Sequence, residues 1–153
     1  MKRILVTGAS GFVGSRFVER WKGEYTILAP GHGEMDITDV VSVERYCMEK
    51  VPDVVVHLAA ISNTGYCEEH PEESYRVNVE GACNVALASA RCGAKLVFFS
   101  SDQVYNGNRE SGLLTEDIAG APENVYGRHK LEAEQHVLGI CPEAVALRAT
   151  WMY

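Results

Sequence analysis

Residues 3–14 read Arg3-Ile4-Leu5-Val6-Thr7-Gly8-Ala9-Ser10-Gly11-Phe12-Val13-Gly14, an apolar run followed by three glycines at intervals of three. Ile4 to Val6 is short and uninterrupted, the pattern of a strand buried on both faces. From Gly11 onward, Phe12, Val13, Phe17, Val18 and Trp21 recur at helical spacing. A strand that passes through a glycine turn into a helix can receive a pyrophosphate. Amides at the helix start point at the anion, the helix dipole favours its charge, and the missing side chains admit it. Gly8 is expected to follow the strand and Gly11 to lie against the phosphate. Gly14 should let the helix pack close to the sheet.

The rest of the chain repeats the alternation. Strands are predicted at Tyr25–Ala29, Val54–Leu58, Lys95–Ser100 and Val145–Ala149. Helices are predicted at Val40–Lys50, over roughly Pro71–Arg91 with Gly93 as the stop, and at Val125–Leu138. Asn106–Asn124, rich in Gly, Asn, Glu and Pro, reads as a long functional loop. Strands alternating with helices imply an α/β fold, a doubly wound parallel sheet of the Rossmann type in three αβα layers. In such sheets ligands bind outside the carboxyl ends of the strands. The whole of residues 1–153 reads as one dinucleotide-binding domain.

Composition narrows the function classes. The net charge of −7 disfavours nonspecific attraction to nucleic acid or to acidic membranes. The longest apolar runs fall far short of the ~20 residues of a membrane span. Cys47, Cys67, Cys83, Cys92 and Cys141 form no C-x-x-C pair, so neither a metal site nor a disulfide framework is expected. Reduced thiols in a cytoplasmic protein fit this usage.

Tyr126 and Lys130 are four residues apart on a predicted helix and share one face. A phenol titrating near 10 is a poor acid at neutral pH, and a nearby ammonium is expected to pull it down. The pair could then pass a proton to a carbonyl oxygen while hydride reaches the carbon. Ser101, at the end of the fourth strand segment, could hydrogen-bond the same oxygen. After the second strand the chain reads Leu28-Ala29-Pro30-Gly31-His32-Gly33, without the Asp or Glu that would repel a 2′-phosphate. NADP(H) is therefore the favoured cofactor and NAD(H) the alternative, with His32 the nearby group that could meet the phosphate.

Six blocks stand in a familiar order: Gly8-Ala-Ser-Gly-Phe-Val-Gly14, Asp36-Ile-Thr-Asp39, His57-Leu-Ala-Ala60, Asn78-Val-Glu-Gly81, Ser100-Ser-Asp-Gln-Val-Tyr105 and Tyr126-Gly-Arg-His-Lys130. Together they resemble the extended short-chain dehydrogenase/reductase family. With the closing Leu147-Arg-Ala-Thr-Trp-Met-Tyr153, the chain looks most like that family's dTDP-4-dehydrorhamnose reductases. The resemblance implies catalysis by Ser101, Tyr126 and Lys130. It implies cofactor contacts at Gly8, Gly11, Phe12, Val13, Gly14, Asp36, Ile37, Leu58, Ala59, Ala60, Tyr126 and Lys130, with Asn78 supporting the active-site strand from its helix. Asp102 and Trp151 match substrate-side residues, whereas Gln103 departs from the tyrosine of the reductase block. The resemblance further implies a nucleotide-sugar substrate, leaves room for a homo-oligomer, and assigns the sugar pocket to a further half that is expected to be absent or truncated here. Three functional expectations follow: the cofactor-binding portion of an NADPH-dependent 4-keto-sugar-nucleotide reductase, an NAD-dependent epimerase or dehydratase, or a non-catalytic module similar to the methionine adenosyltransferase regulatory subunit.

Overall fold

The computed structural model describes residues 1–109 and 112–152; Glu110 and Ser111 of the long loop, and the terminal Tyr153, lie outside the described residues. Its strands are β1 (Arg3–Thr7), β2 (Thr26–Leu28), β3 (Val54–His57), β4 (Lys95–Ser101) and β5 (Val145–Ala149). They form one sheet in the order β2-β1-β3-β4-β5, parallel throughout. Strand order therefore reverses between β1 and β3, which opens a crevice at their carboxyl ends.

The helices are α1 (Phe12–Trp21), α2 (Val40–Lys50), α3 (Thr64–Glu69), α4 (Pro71–Tyr75), α5 (Gly81–Cys92) and α6 (Val125–Ile140). One face of the sheet is covered by α2, α5 and α6, with Leu5, Val43, Val55, Val85, Phe98 and Val137 in a continuous core. Fully burying a side chain of this kind contributes roughly 1.5–3 kcal/mol. On the other face α1 packs Phe17 and Val18 against Ile4, Val6 and Val56. These are the three layers that the alternating pattern predicts. On the far strand, Val145 and Leu147 stay exposed.

The helix predicted over roughly Pro71–Arg91 is three pieces: α4, a π-helical turn over Arg76–Glu80, and α5. A further helix, α3, precedes it, capped by Asn63, whose side chain accepts the Tyr66 N–H at 2.8 Å. The β2 strand is shorter than Tyr25–Ala29, because only Thr26 to Leu28 find partners on β1. The loop after β4 begins with a 3₁₀ turn, Asp102–Tyr105. It is anchored by Arg148, which bonds the Tyr105 hydroxyl and the Glu116 carbonyl.

Candidate active site

The three glycines turn out to have different jobs. Gly8 is left-handed, with φ of 67°, and a Cβ there would lie 2.8 Å from the Ala59 nitrogen. A Cβ on Gly14 would strike the Gly8 carbonyl oxygen and lie 2.8 Å from the Ala9 Cα, so this glycine packs against its own turn. Gly11 has more room, yet a Cβ there would already press on the Gly8 carbonyl oxygen at 3.2 Å. Gly11 is also the N-cap of α1 and supplies no side-chain cap. The first-turn amides of α1 are thus left for whatever enters the crevice.

The turn is fixed from below by a buried knot. Thr7 Oγ1 accepts the Leu58 and Ala59 N–H groups, each at 3.1 Å, and sits 2.7 Å from His57 Nδ1. Because Thr7 already accepts twice, its own hydrogen goes to the imidazole, which requires an unprotonated Nδ1. Burial, with the Lys130 charge beside it, pushes His57 down to about 3, so the ring is neutral. It stacks on Phe98, and the other side of the cluster holds Lys130, whose ammonium lies 4.5 Å from the Phe98 ring centroid.

A cleft of about 700 Å³ opens over these elements. Gly8, Gly11, Phe12, Val13, Gly14, Leu58 and Ala60 line one side. Ser101, Asp102, Tyr126, Lys130 and Trp151 line the other. Burial pushes the Tyr126 phenol above its ordinary value, and a hydrogen bond with Ser101 opposes that only in part. The depression expected from Lys130 is not found: burial dominates at Tyr126, and Lys130 is itself pulled down, to about 8, by burial, with Glu134 pushing the other way. The phenol is therefore held in its acid form. Ser101 Oγ also accepts the Gln103 N–H at 3.1 Å, which starts the 3₁₀ turn. Asp102 is gripped by the Thr150 hydroxyl at 2.9 Å. Gln103 spends its carbonyl on Asn124 at 3.0 Å, the residue whose Oδ1 caps α6 on the Gly127 N–H.

Four of the expected contacts stand outside this cleft. Asp36 folds onto Thr38, accepting its N–H and its hydroxyl, each at 2.8 Å. Burial acts to raise its carboxyl, but the Thr38 bonds, with His32 and Arg76 beyond, hold it below the ordinary range. Ile37 packs beneath Gly81, and its carbonyl takes the Asn84 amide at 2.9 Å. Ala59 is spent on Thr7. Asn78 is buried and brackets the Ile61 backbone, accepting its N–H at 2.8 Å and donating to its carbonyl at 2.9 Å. His32 stands in solvent, 3.8 Å from Asp36. Just past it, the Glu34 carboxylate turns back to accept the Gly31 N–H at 2.9 Å.

Sequence reasoning passed over Ser100. The residue lines the cleft, and its hydroxyl is buried with no hydrogen-bond partner among the described residues. Ser62, Asn63 and Thr64, on the rim, also went unread, since α3 was not expected.

The chain matches, over residues 1–153, the family described as RmlD substrate binding domain. It is 36% identical over 154 residues to a dTDP-4-dehydrorhamnose reductase of Mycolicibacterium smegmatis, an alignment that covers 99% of this chain and 46% of that protein. It superposes on the crystal structure of dTDP-4-dehydrorhamnose reductase from Bacillus anthracis in complex with NADP with a TM-score of 0.94 and 35% identity, over 100% of this chain and 55% of that one. The Bordetella bronchiseptica enzyme WbmG, solved with NAD and UDP, gives a TM-score of 0.85 at 30% identity, over 95% of this chain and 52% of its own. The chain thus spans about half the length of the curated relatives it matches.

Proposed function

We infer from membership of the RmlD substrate binding domain family, to which this chain belongs over residues 1–153, that it is the NADP(H)-binding portion of a 4-keto-sugar-nucleotide reductase of the dTDP-4-dehydrorhamnose reductase kind. The observation that carries this reading is that Ser101, Tyr126 and Lys130 line the same cleft into which the uncapped start of α1 opens. The bare backbone at Gly8, Gly11 and Gly14 fits a dinucleotide, whose phosphates need close approach to the turn. The pyrophosphate would rest on the amides of Phe12 and Val13, with Gly8, Gly11 and Gly14 shaping the turn, the Gly11 N–H being closed onto the Gly8 carbonyl, and with Leu58 and Ala60 forming the floor above Ala59. Asp36 and Ile37 would stand at the adenine end, and Asn78 would hold the rim in place.

NADPH, when bound, supplies the hydride. The protein's part is position and protons. Tyr126, kept protonated by burial, is suited to give its proton to a carbonyl oxygen, which Ser101 also orients. Lys130, one turn along the same face, would hold ribose hydroxyls and offset the phenolate left behind. Asp102 and Trp151 would meet a nucleotide-sugar. The residues that close over that sugar are assigned to the other half of the relatives' length. Five free cysteines fit a cytoplasmic setting.

NADP(H) is preferred over NAD(H) because the loop's carboxylate, Glu34, is committed to Gly31. In parallel titrations NADPH should bind at least as tightly as NADH. Both should weaken above a pH of about 8, where Lys130 loses its proton and its hold on the ligand. Binding of NADH ten times tighter than NADPH, on the order of 1.4 kcal/mol, overturns the assignment.

Gly11→Val should raise the NADPH Kd about a hundredfold, through the loss of two charge-assisted amide bonds at roughly 1.5 kcal/mol each. Its backbone, with φ of −72° and ψ of 176°, suits any residue, and the press of the new Cβ on the Gly8 carbonyl oxygen at 3.2 Å should lower the melting temperature only modestly, leaving the chain folded. Unchanged affinity in a folded Gly11→Val chain refutes the phosphate site.

A further inference from the structure

Segment 64–80 is tied to α6 at three places. The Val125 N–H donates to Glu68 at 2.7 Å, Ser74 Oγ lies 2.8 Å from His129 Nδ1, and the Tyr75 hydroxyl donates to Glu132 at 2.8 Å. The middle tie continues inward. The Asn78 amide donates to Ser74 Oγ at 3.3 Å as well as to the Ile61 carbonyl at 2.9 Å, and its oxygen accepts the Ile61 N–H at 2.8 Å. Ser74 and Asn78 are both buried. A single hydrogen-bonded chain therefore runs from His129 through Ser74 and Asn78 to the backbone at Ile61. Its two ends lead to two segments that line the cleft. Ile61 leads directly into Ser62, Asn63 and Thr64 on the rim, and His129 stands between Tyr126 and Lys130 on α6.

The chain has a direction. Ser74 Oγ accepts from Asn78 and still has its own hydrogen to give to His129, a bond that needs a bare Nδ1 with the ring proton on Nε2. The T-shaped contact with the Tyr75 ring, at 5.3 Å between centroids, holds the imidazole in that orientation. Burial pushes His129 below its ordinary value, with Glu132 and Glu68 opposing and Arg128 assisting, which keeps the ring neutral.

We propose that His129 is a positioning residue: through Ser74 and Asn78 it fixes the Ile61 backbone, and with it the Ser62–Thr64 rim, relative to Tyr126 and Lys130. Its consequence for NADPH rests on the function proposed above; its consequence for Ile61 does not. Two readouts are therefore taken on the full chain: amide exchange at Ile61 and the NADPH Kd.

His129→Ala should speed exchange at Ile61 about tenfold at unchanged global stability, by loosening one buried hydrogen-bonded chain. It should also raise the NADPH Kd several-fold. His129→Asn should restore both, because Asn Oδ1 hangs two bonds from Cβ as His Nδ1 does and accepts the same Ser74 hydrogen. Ser74→Ala, which leaves α6 untouched, should reproduce the His129→Ala result and stands in for it if that variant does not fold. Unchanged Ile61 exchange in these variants overturns the proposal. So does an Asn variant that behaves like the Ala variant. Faster exchange with unaltered NADPH affinity reduces His129 to a structural residue and overturns the positioning role. If the wild-type chain does not bind NADPH, the functional assignment fails and the exchange data still decide the His129 link.

Discussion

Tyr126→Phe should lower kcat by about 10²–10⁴-fold once the chain is joined to the C-terminal half of a dTDP-4-dehydrorhamnose reductase, the range for loss of a positioned proton donor. The chain alone should give no measurable reduction of a dTDP-4-keto sugar. Ser101, Tyr126 and Lys130 meet in one cleft without help from any other segment. A substrate must also be held near attack distance, however, and that positioning is worth roughly 7–11 kcal/mol. Trp151, one of the residues lining the cleft, is 79% exposed. The NADPH Kd should move little in Tyr126→Phe, because only the hydroxyl is lost. Turnover measured with the joined protein, with and without the substitution, checks both parts. Robust turnover by the isolated chain, or a Phe variant that keeps its rate, contradicts the assignment of Tyr126.

Glu134→Ala should cost about 3–5 kcal/mol of stability, the usual loss when one member of a buried ion pair is removed. Glu134 takes three hydrogen bonds from Arg148, two at 3.2 Å and one at 2.6 Å, with side-chain exposures of 7% and 19%. The pair joins β5 to α6, and Arg148 also anchors the long loop through Tyr105 and Glu116. Removing the carboxylate strands the guanidinium and takes from Lys130 the charge that supports its proton. Chemical denaturation measures the loss. Replacing both partners with apolar residues, as Glu134→Leu with Arg148→Met, should recover most of it. A loss below about 1 kcal/mol in the single variant would mean that the pair is solvated after all.

Most of the sheet was legible because its strands are continuous apolar runs, as at Ile4–Val6 and Val54–Val56, and because Pro52 and Gly93 stop the helices before β3 and β4. The placement of Tyr126 and Lys130 on one buried helix face follows from their spacing alone. What spacing does not carry is the electrostatic outcome. Burial of Tyr126 and Lys130 depends on β4 and α6 packing together, and that packing reverses the expected direction for the phenol. The local bonding of Asp36, a cofactor contact by resemblance, has a source in the sequence itself. Asp36 has Thr38 two residues on, and the two satisfy each other. The break in the 71–91 helix left no periodic signal, because Val77 and Val79 read equally well as part of one long helix. The Asn63 cap of α3 is readable in principle, but Gly65, two residues later, is a poor helix former.

The π-helical turn at Arg76–Glu80 carries one residue more than an α-helix of the same rise would need. The surplus is absorbed locally, so α4 before it and α5 after it keep the faces they present to α6 and to the sheet. A chain shortened by one residue here would rewind into a regular helix with its outer contacts intact. It would draw Asn78 out of line with Ile61. Regularity and cleft geometry thus compete at this one turn, and a homologue that lacks the extra residue must hold its rim by some other means.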